Sequence, residues 1–194
     1  MSPSKLDGAT LTAILPRLEL SQQAAAAIGA SNSVPVALDA LVKADLLLEA
    51  ARLCAHALPP RERVWWAARC ARATAGPGLS DADLKACALA EEWVRRRADD
   101  TRRAAMDMAL RAGCTSPEAW TAVAAFWSGD SMAPPGQPKV PPAPHLAGTA
   151  TAGAVVLASV RACPERQADR LRRFLHSALD IAAGGAGHID PEVA

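Results

Sequence analysis

The side chains best suited to chemistry in this 194-residue chain are four histidines and five cysteines. None of them falls at a spacing that makes a site. Cys54 and His56 lie two apart, which on a helix puts them on different faces, and no CxxC or HExxH occurs among Cys70, Cys87, Cys114, Cys163, His145, His176 and His188. A metal site is therefore not expected, and scattered cysteines of odd number read as free, mostly buried thiols. No GxSxG and no glycine-rich phosphate loop is present, and no cofactor is expected. Ser128-Gly129-Asp130-Ser131 offers hydroxyls, but reads as a helix end and turn. Glu91 and Glu92 stand four before Arg95 and Arg96, the spacing of surface ion pairs on a helix. These motifs together give no catalytic residue, and a non-enzyme is the expectation. The rival is a site pooled from residues distant in sequence, around His145 with Arg61, Glu62 and Ser128, in an enzyme or small-molecule binder.

Two stretches carry more specific chemistry. Arg95, Arg96, Arg102 and Arg103 would form one patch for an anion if two helices turn sharply at Ala98-Asp99-Asp100. The interleaved Glu91, Glu92, Asp99 and Asp100 favour a solvated face of mixed sign instead. The second stretch is MAPPGQPKVPPAPH, where proline fixes φ and removes backbone donors, so neither helix nor sheet can form. Trp127 precedes it and His145 closes it. Either this strap wraps over Trp127 as a cover, or it presents an extended polyproline edge to a partner. Trp127, Pro134, Pro135, Pro138, Pro141, Pro142 and His145 are the candidate contact residues.

The elements that must position these residues read as helices. Roughly a quarter of the chain is alanine, tyrosine is missing, and β-branched residues are sparse. Ser21, Ser80 and Ser116 stand as N-caps. Val34-Pro35, Pro59-Pro60 and Ser116-Pro117 open helices, Gly76-Pro77-Gly78 closes one, and the region from Val34 onward reads as interrupted near Lys43-Ala44-Asp45. Leu171, Phe174, Leu175, Ala178, Leu179 and Ala182 make the cleanest apolar stripe. The expected fold is all-α, a compact antiparallel bundle or short hairpin array of six or seven helices with a proline-rich strap. Residues 1–33 are expected to be loosely ordered with one short helix, 34–184 to form a single domain, and 185–194 to fray.

Net charge is +1, which gives no drive toward nucleic acid or an anionic membrane. The apolar stretch Leu146 to Val160 falls short of the roughly 20 residues of a membrane span. With no signal-peptide pattern at the start, a cytoplasmic protein is expected.

The phrases AHALPPRERVWWAARCARA and AWTAVAAFWSGDSMAPPGQPKVPPAPHLAGTATAGAVVLA, with ALDALVKADLLLEAARL ahead of them, resemble a bacterial helical domain family of unknown function over Val34 to Asp180. Leu58, Pro59, Arg61, Trp65, Trp66, Trp120, Phe126, Trp127, Ser128, Gly129, Pro134, Pro135, Pro141, Pro142 and His145 carry the resemblance. It implies an accessory component encoded near type VI secretion genes, with no catalytic residues to transfer. The expected function is a protein–protein interaction module, an adaptor or chaperone-like protein whose partner is a secretion component or effector. An immunity or regulatory protein binding one toxin is the alternative. The oligomeric state is left open.

Overall fold

The structure, a computed structural model, describes residues 4–192. Among them the regular elements are all helical, and there are ten α-helices rather than six or seven. They are α1 (Leu11–Ile14), α2 (Gln22–Ile28), α3 (Val34–Lys43), α4 (Leu47–Ala57), α5 (Pro60–Ala73), α6 (Asp81–Arg96), α7 (Asp99–Arg111), α8 (Pro117–Trp127), α9 (Leu146–Val160) and α10 (Gln167–Ala182). Short 3-10 turns at Leu15–Arg17 and Pro164–Arg166 follow α1 and precede α10.

Part of the surplus comes from the region after Val34, where Asp45 takes a positive φ of 56° and splits α3 from α4. The serine caps form as their sequence dictates: Ser21, Ser80 and Ser116 each accept a backbone N–H in the first turn of α2, α6 and α8.

The rest of the surplus lies in the segment expected to be loose. Leu6, Leu11, Ile14, Leu18, Ala24 and Ile28 are buried with α3, α4 and α10, and Lys5 donates its backbone N–H to Ala182 at 2.9 Å. The tail is docked as well: Ile189 is buried, and the Glu192 N–H reaches the Ala73 carbonyl at 2.8 Å. Leu11, Ile14, Leu15 and Leu18 do stand at helical spacing, but the run is short and broken by Pro16, so their burial is decided by the surface they land on rather than by a stable local helix. The outermost residues of those two segments, 1–3 and 193–194, lie outside the described ones.

Two apolar clusters share the interior. One gathers the N-terminal residues, α3, α4 and α10 with Trp66 and Val155; the other gathers α6, α7 and α8 with Val64 and Ala150. Helices α5 and α9 therefore face both. Trp66 looks into the first and donates its indole N–H to the Phe174 carbonyl at 2.8 Å, while half-buried Trp65 touches both clusters. This is how two adjacent tryptophans, about 100° apart around a helix, are both accommodated. Alanine allows the close approach of α8 and α9, and a Cβ at Gly153 would sit 3.6 Å from the Trp120 ring. Buried Glu118, in the first turn of α8, pairs with Arg161 just past the end of α9, and Arg161 also donates to the Thr74 carbonyl at 3.2 Å. No single helix among the described residues is long and apolar enough to cross a membrane.

Candidate interaction site

The proline strap joins α8 to α9, and its base is built around one arginine. Arg102 on α7 is 2% exposed. Its Nη1 donates to the Phe126 carbonyl at 3.1 Å and its Nη2 to the Ser131 carbonyl at 2.7 Å, so one guanidinium closes both ends of the turn that follows α8. The group also stacks over the Phe126 ring at 5.2 Å and pairs with Asp99 on its own helix. A planar, forked cation suits this geometry, because it can serve two carbonyls and a carboxylate at once. Gly129 makes room for it: a Cβ there would lie 2.2 Å from Arg102 Nε.

Above this anchor the chain folds on itself. Met132 donates its N–H to Val140 at 2.7 Å, and Ser131 Oγ accepts the N–H groups of Ala133 at 3.2 Å and Val140 at 3.1 Å. The tip is a turn with Pro135 second, Gly136 third at φ 82°, and the Gln137 N–H bonded to the Pro134 carbonyl at 3.2 Å. Proline then glycine at those places, with positive φ at the second, is the pattern of a type II turn. Lys139 closes one flank on Asp130 at 2.6 Å; this hydrogen bond holds the Asp130 carboxyl below, and the Lys139 ammonium above, their usual ranges.

The strap is thus fixed in shape but stays out of the core. No residue from Met132 to Pro144 is buried; Pro134, Pro135, Pro138 and Pro141 are exposed, Pro142 is half-buried, and Val140 is 50% exposed. Trp127 is half-buried against the second apolar cluster. His145 leaves this feature: it is the N-cap residue of α9 and lines a separate cleft with His56.

The four arginines read as an anion patch do not form one. The sharp turn is there, between α6 and α7, but burial takes Arg102 inward, Arg103 pairs with Asp99 at 2.6 Å, and Arg96 pairs with Glu92 at 3.2 Å. Arg95 instead faces a cleft lined by Arg61, Glu62 and Trp65. The pooled site around His145 is likewise divided, since Arg61 and Glu62 line one cleft, Ser128 another and His145 a third. Among the described residues, no three histidine, cysteine or acidic side chains come together as metal ligands. Burial pushes the thiols of Cys54 and Cys87 up to about 12.

Arg102 and Gly129 are the site residues that sequence reasoning missed in their true role. The run of charges around Arg102 disguised it, and the small residue at 129 was its one signal.

Fold and site together define an all-α protein that displays an arginine-anchored proline loop. The chain belongs to a family of unknown function, DUF6931, which matches residues 37–182 and so includes the whole strap. No curated protein and no solved structure matches it.

Proposed function

We propose that this protein is a non-enzymatic interaction module, an adaptor or chaperone-like accessory protein, whose proline strap is the docking element. One observation carries the reading: the segment from Met132 to Pro144 is held by side-chain and backbone hydrogen bonds, yet buries none of its residues. A cover would bury its apolar side. A preformed, exposed proline edge loses little entropy on binding and suits an aromatic-lined groove on another protein. A partner belonging to a type VI secretion apparatus, or an effector that it exports, is the candidate suggested by the sequence resemblance.

The test is co-purification of tagged protein from its host, comparing the native chain with one whose residues 133–143 are replaced by glycine and serine. Val140→Asp serves as a second, milder variant. Loss of the same partner from both variants, with helicity unchanged by circular dichroism, is the expected result. A partner retained by both would end the proposal. Recovery of a single toxin would turn the reading to an immunity protein.

A further inference from the structure

A second feature lies beside the first turns of α9, beyond the end of the strap. A cleft of about 480 Å³ opens between the end of α4, the first turns of α9 and the chain around the first 3-10 turn. Arg17, Glu19, Arg52, His56, His145 and Thr149 line it. Its volume falls within the range of small-ligand sites.

The charged groups here lack the carboxylate partners that many arginines elsewhere on the surface have, a lack that Arg95 and Arg111 share but not within one cleft with two imidazoles. Arg72, Arg96, Arg103, Arg166, Arg170, Arg172 and Arg173 all pair with carboxylates. Among the described residues, the side chains of Arg17, Glu19, Arg52, His56 and His145 make no hydrogen bond or ion pair; the bonds recorded at the two histidines go to their backbone carbonyls. Two arginines against one glutamate leave the cleft a net +1 with both imidazoles neutral.

The imidazole of His56 is also held in place. Gly148 brings the α9 backbone against it, since a Cβ at 148 would lie 2.5 Å from Nδ1. Behind it, Arg63 donates to the His56 carbonyl at 3.2 Å and the Leu58 carbonyl at 2.8 Å, closing the end of α4. Burial first, then the charges of Arg63, His145 and Arg17, push His56 down to about 4, as a locally positive environment requires. Glu19 adopts a positive φ of 47°, a conformation that non-glycine residues keep only where the surroundings impose it.

We propose that this cleft binds a small phosphorylated molecule. Arg17 and Arg52 hold the phosphate, the ring N–H groups of His56 and His145 donate to its remaining oxygens, and Glu19 accepts from a hydroxyl of the same ligand. A lone carboxylate is satisfied by a single guanidinium fork, whereas two guanidinium groups and two imidazoles offer more donors, suited to a tetrahedral dianion.

The experiment is a titration of the full chain with inorganic phosphate at constant ionic strength, following the imidazole resonances of all four histidines by NMR, with succinate as a parallel arm. The expected result is saturable shifts at His56 and His145, a rise in the His56 pKa with phosphate, and weaker binding of succinate. Arg17→Gln and Arg52→Gln should each weaken phosphate binding about tenfold, the effect of losing one charge-assisted contact, with the fold intact by circular dichroism. Shifts that fail to saturate, or that appear equally at His188, which already pairs with Asp190 at 2.9 Å, would overturn the proposal. Tighter binding of succinate, or binding unchanged in both variants, would overturn it as well.

Discussion

Two buried arginines hold two irregular segments against this helical body, and they do so by different chemistry. Arg102, beneath the strap, spends its donors on the carbonyls of Phe126 and Ser131 and takes its short carboxylate contact from Asp99 on its own helix. Arg170, 3% exposed on α10, holds the C-terminal tail by a forked pair with Glu192, at 2.9 and 2.7 Å, and donates to the carbonyls of Ser159 and Arg161 at 3.1 and 2.7 Å. The tail therefore binds through a close forked carboxylate, whereas the strap is held mainly through peptide dipoles, its Asp130 carboxylate standing 3.9 Å from the Arg102 guanidinium. Attachment through a carboxylate can be undone by a proton, and attachment through carbonyls cannot.

Removing the strap's arginine is the most severe way to break this comparison. Arg102→Met leaves two acceptors without their donors, and should cost about 3 kcal/mol in urea unfolding while opening the strap to protease. Arg102→Lys should not restore it, because an ammonium cannot span both carbonyls. Next in size is Gly129→Ala, expected to cost about 2 kcal/mol because the new methyl displaces the guanidinium. Combined with Arg102→Met it should cost much less than the sum, since both changes act on one contact. Strict additivity in the double mutant would show that the glycine serves something other than the arginine.

The tail offers the sharper contrast. Its hydrogen bond to Arg170 holds Glu192 below the ordinary carboxylate range. A carboxylate lowered in the folded state contributes stability that is full above its unfolded pKa, near 4.5, and is lost as pH falls through the lower folded value. Acidification below about 4.5 should thus speed hydrogen exchange at the Glu192 amide before the Val140 amide of the strap. Glu192→Gln should reproduce that release at neutral pH for about 1 kcal/mol, keeping one neutral hydrogen bond. Simultaneous opening of both segments would erase the distinction. The smallest effect is expected for Lys139→Ala, which removes a fully exposed pair on Asp130 and should leave the unfolding midpoint unmoved.

How far each region could be read in advance follows the same physics. Ser21, Ser80 and Ser116 announced helix starts because capping is a local affair between residues three apart. The all-α class followed from alanine content and the scarcity of β-branched and aromatic residues. The ordered N-terminal segment was illegible: Pro16 interrupts it, and Leu6, Leu11, Ile14 and Leu18 acquire meaning only against α4 and α10. Three glycines between Ala183 and His188 hid the docked tail in the same way, since Ile189 and Glu192 find partners far back along the chain. At the site, the helix-free proline strap was legible, but whether it covered Trp127 or stood exposed was not, and neither was the inward turn of Arg102. Arg17, Arg52, His56 and His145 come from three separated segments, so no window of sequence could have joined them.

The dependence of the strap on Arg102 has a kinetic consequence. The guanidinium that closes the loop belongs to α7, while the carbonyls that it holds lie in the last turn of α8 and just beyond it, so the loop has no native shape until those two helices have docked. Substitutions within the strap should then change the unfolding rate and leave the folding rate alone, giving φ-values near zero, whereas substitutions at the contact of α7 with α8 should also slow folding. The exposed proline edge is in this sense a certificate of completion: a partner of the kind proposed would bind only chains whose helical body has already assembled.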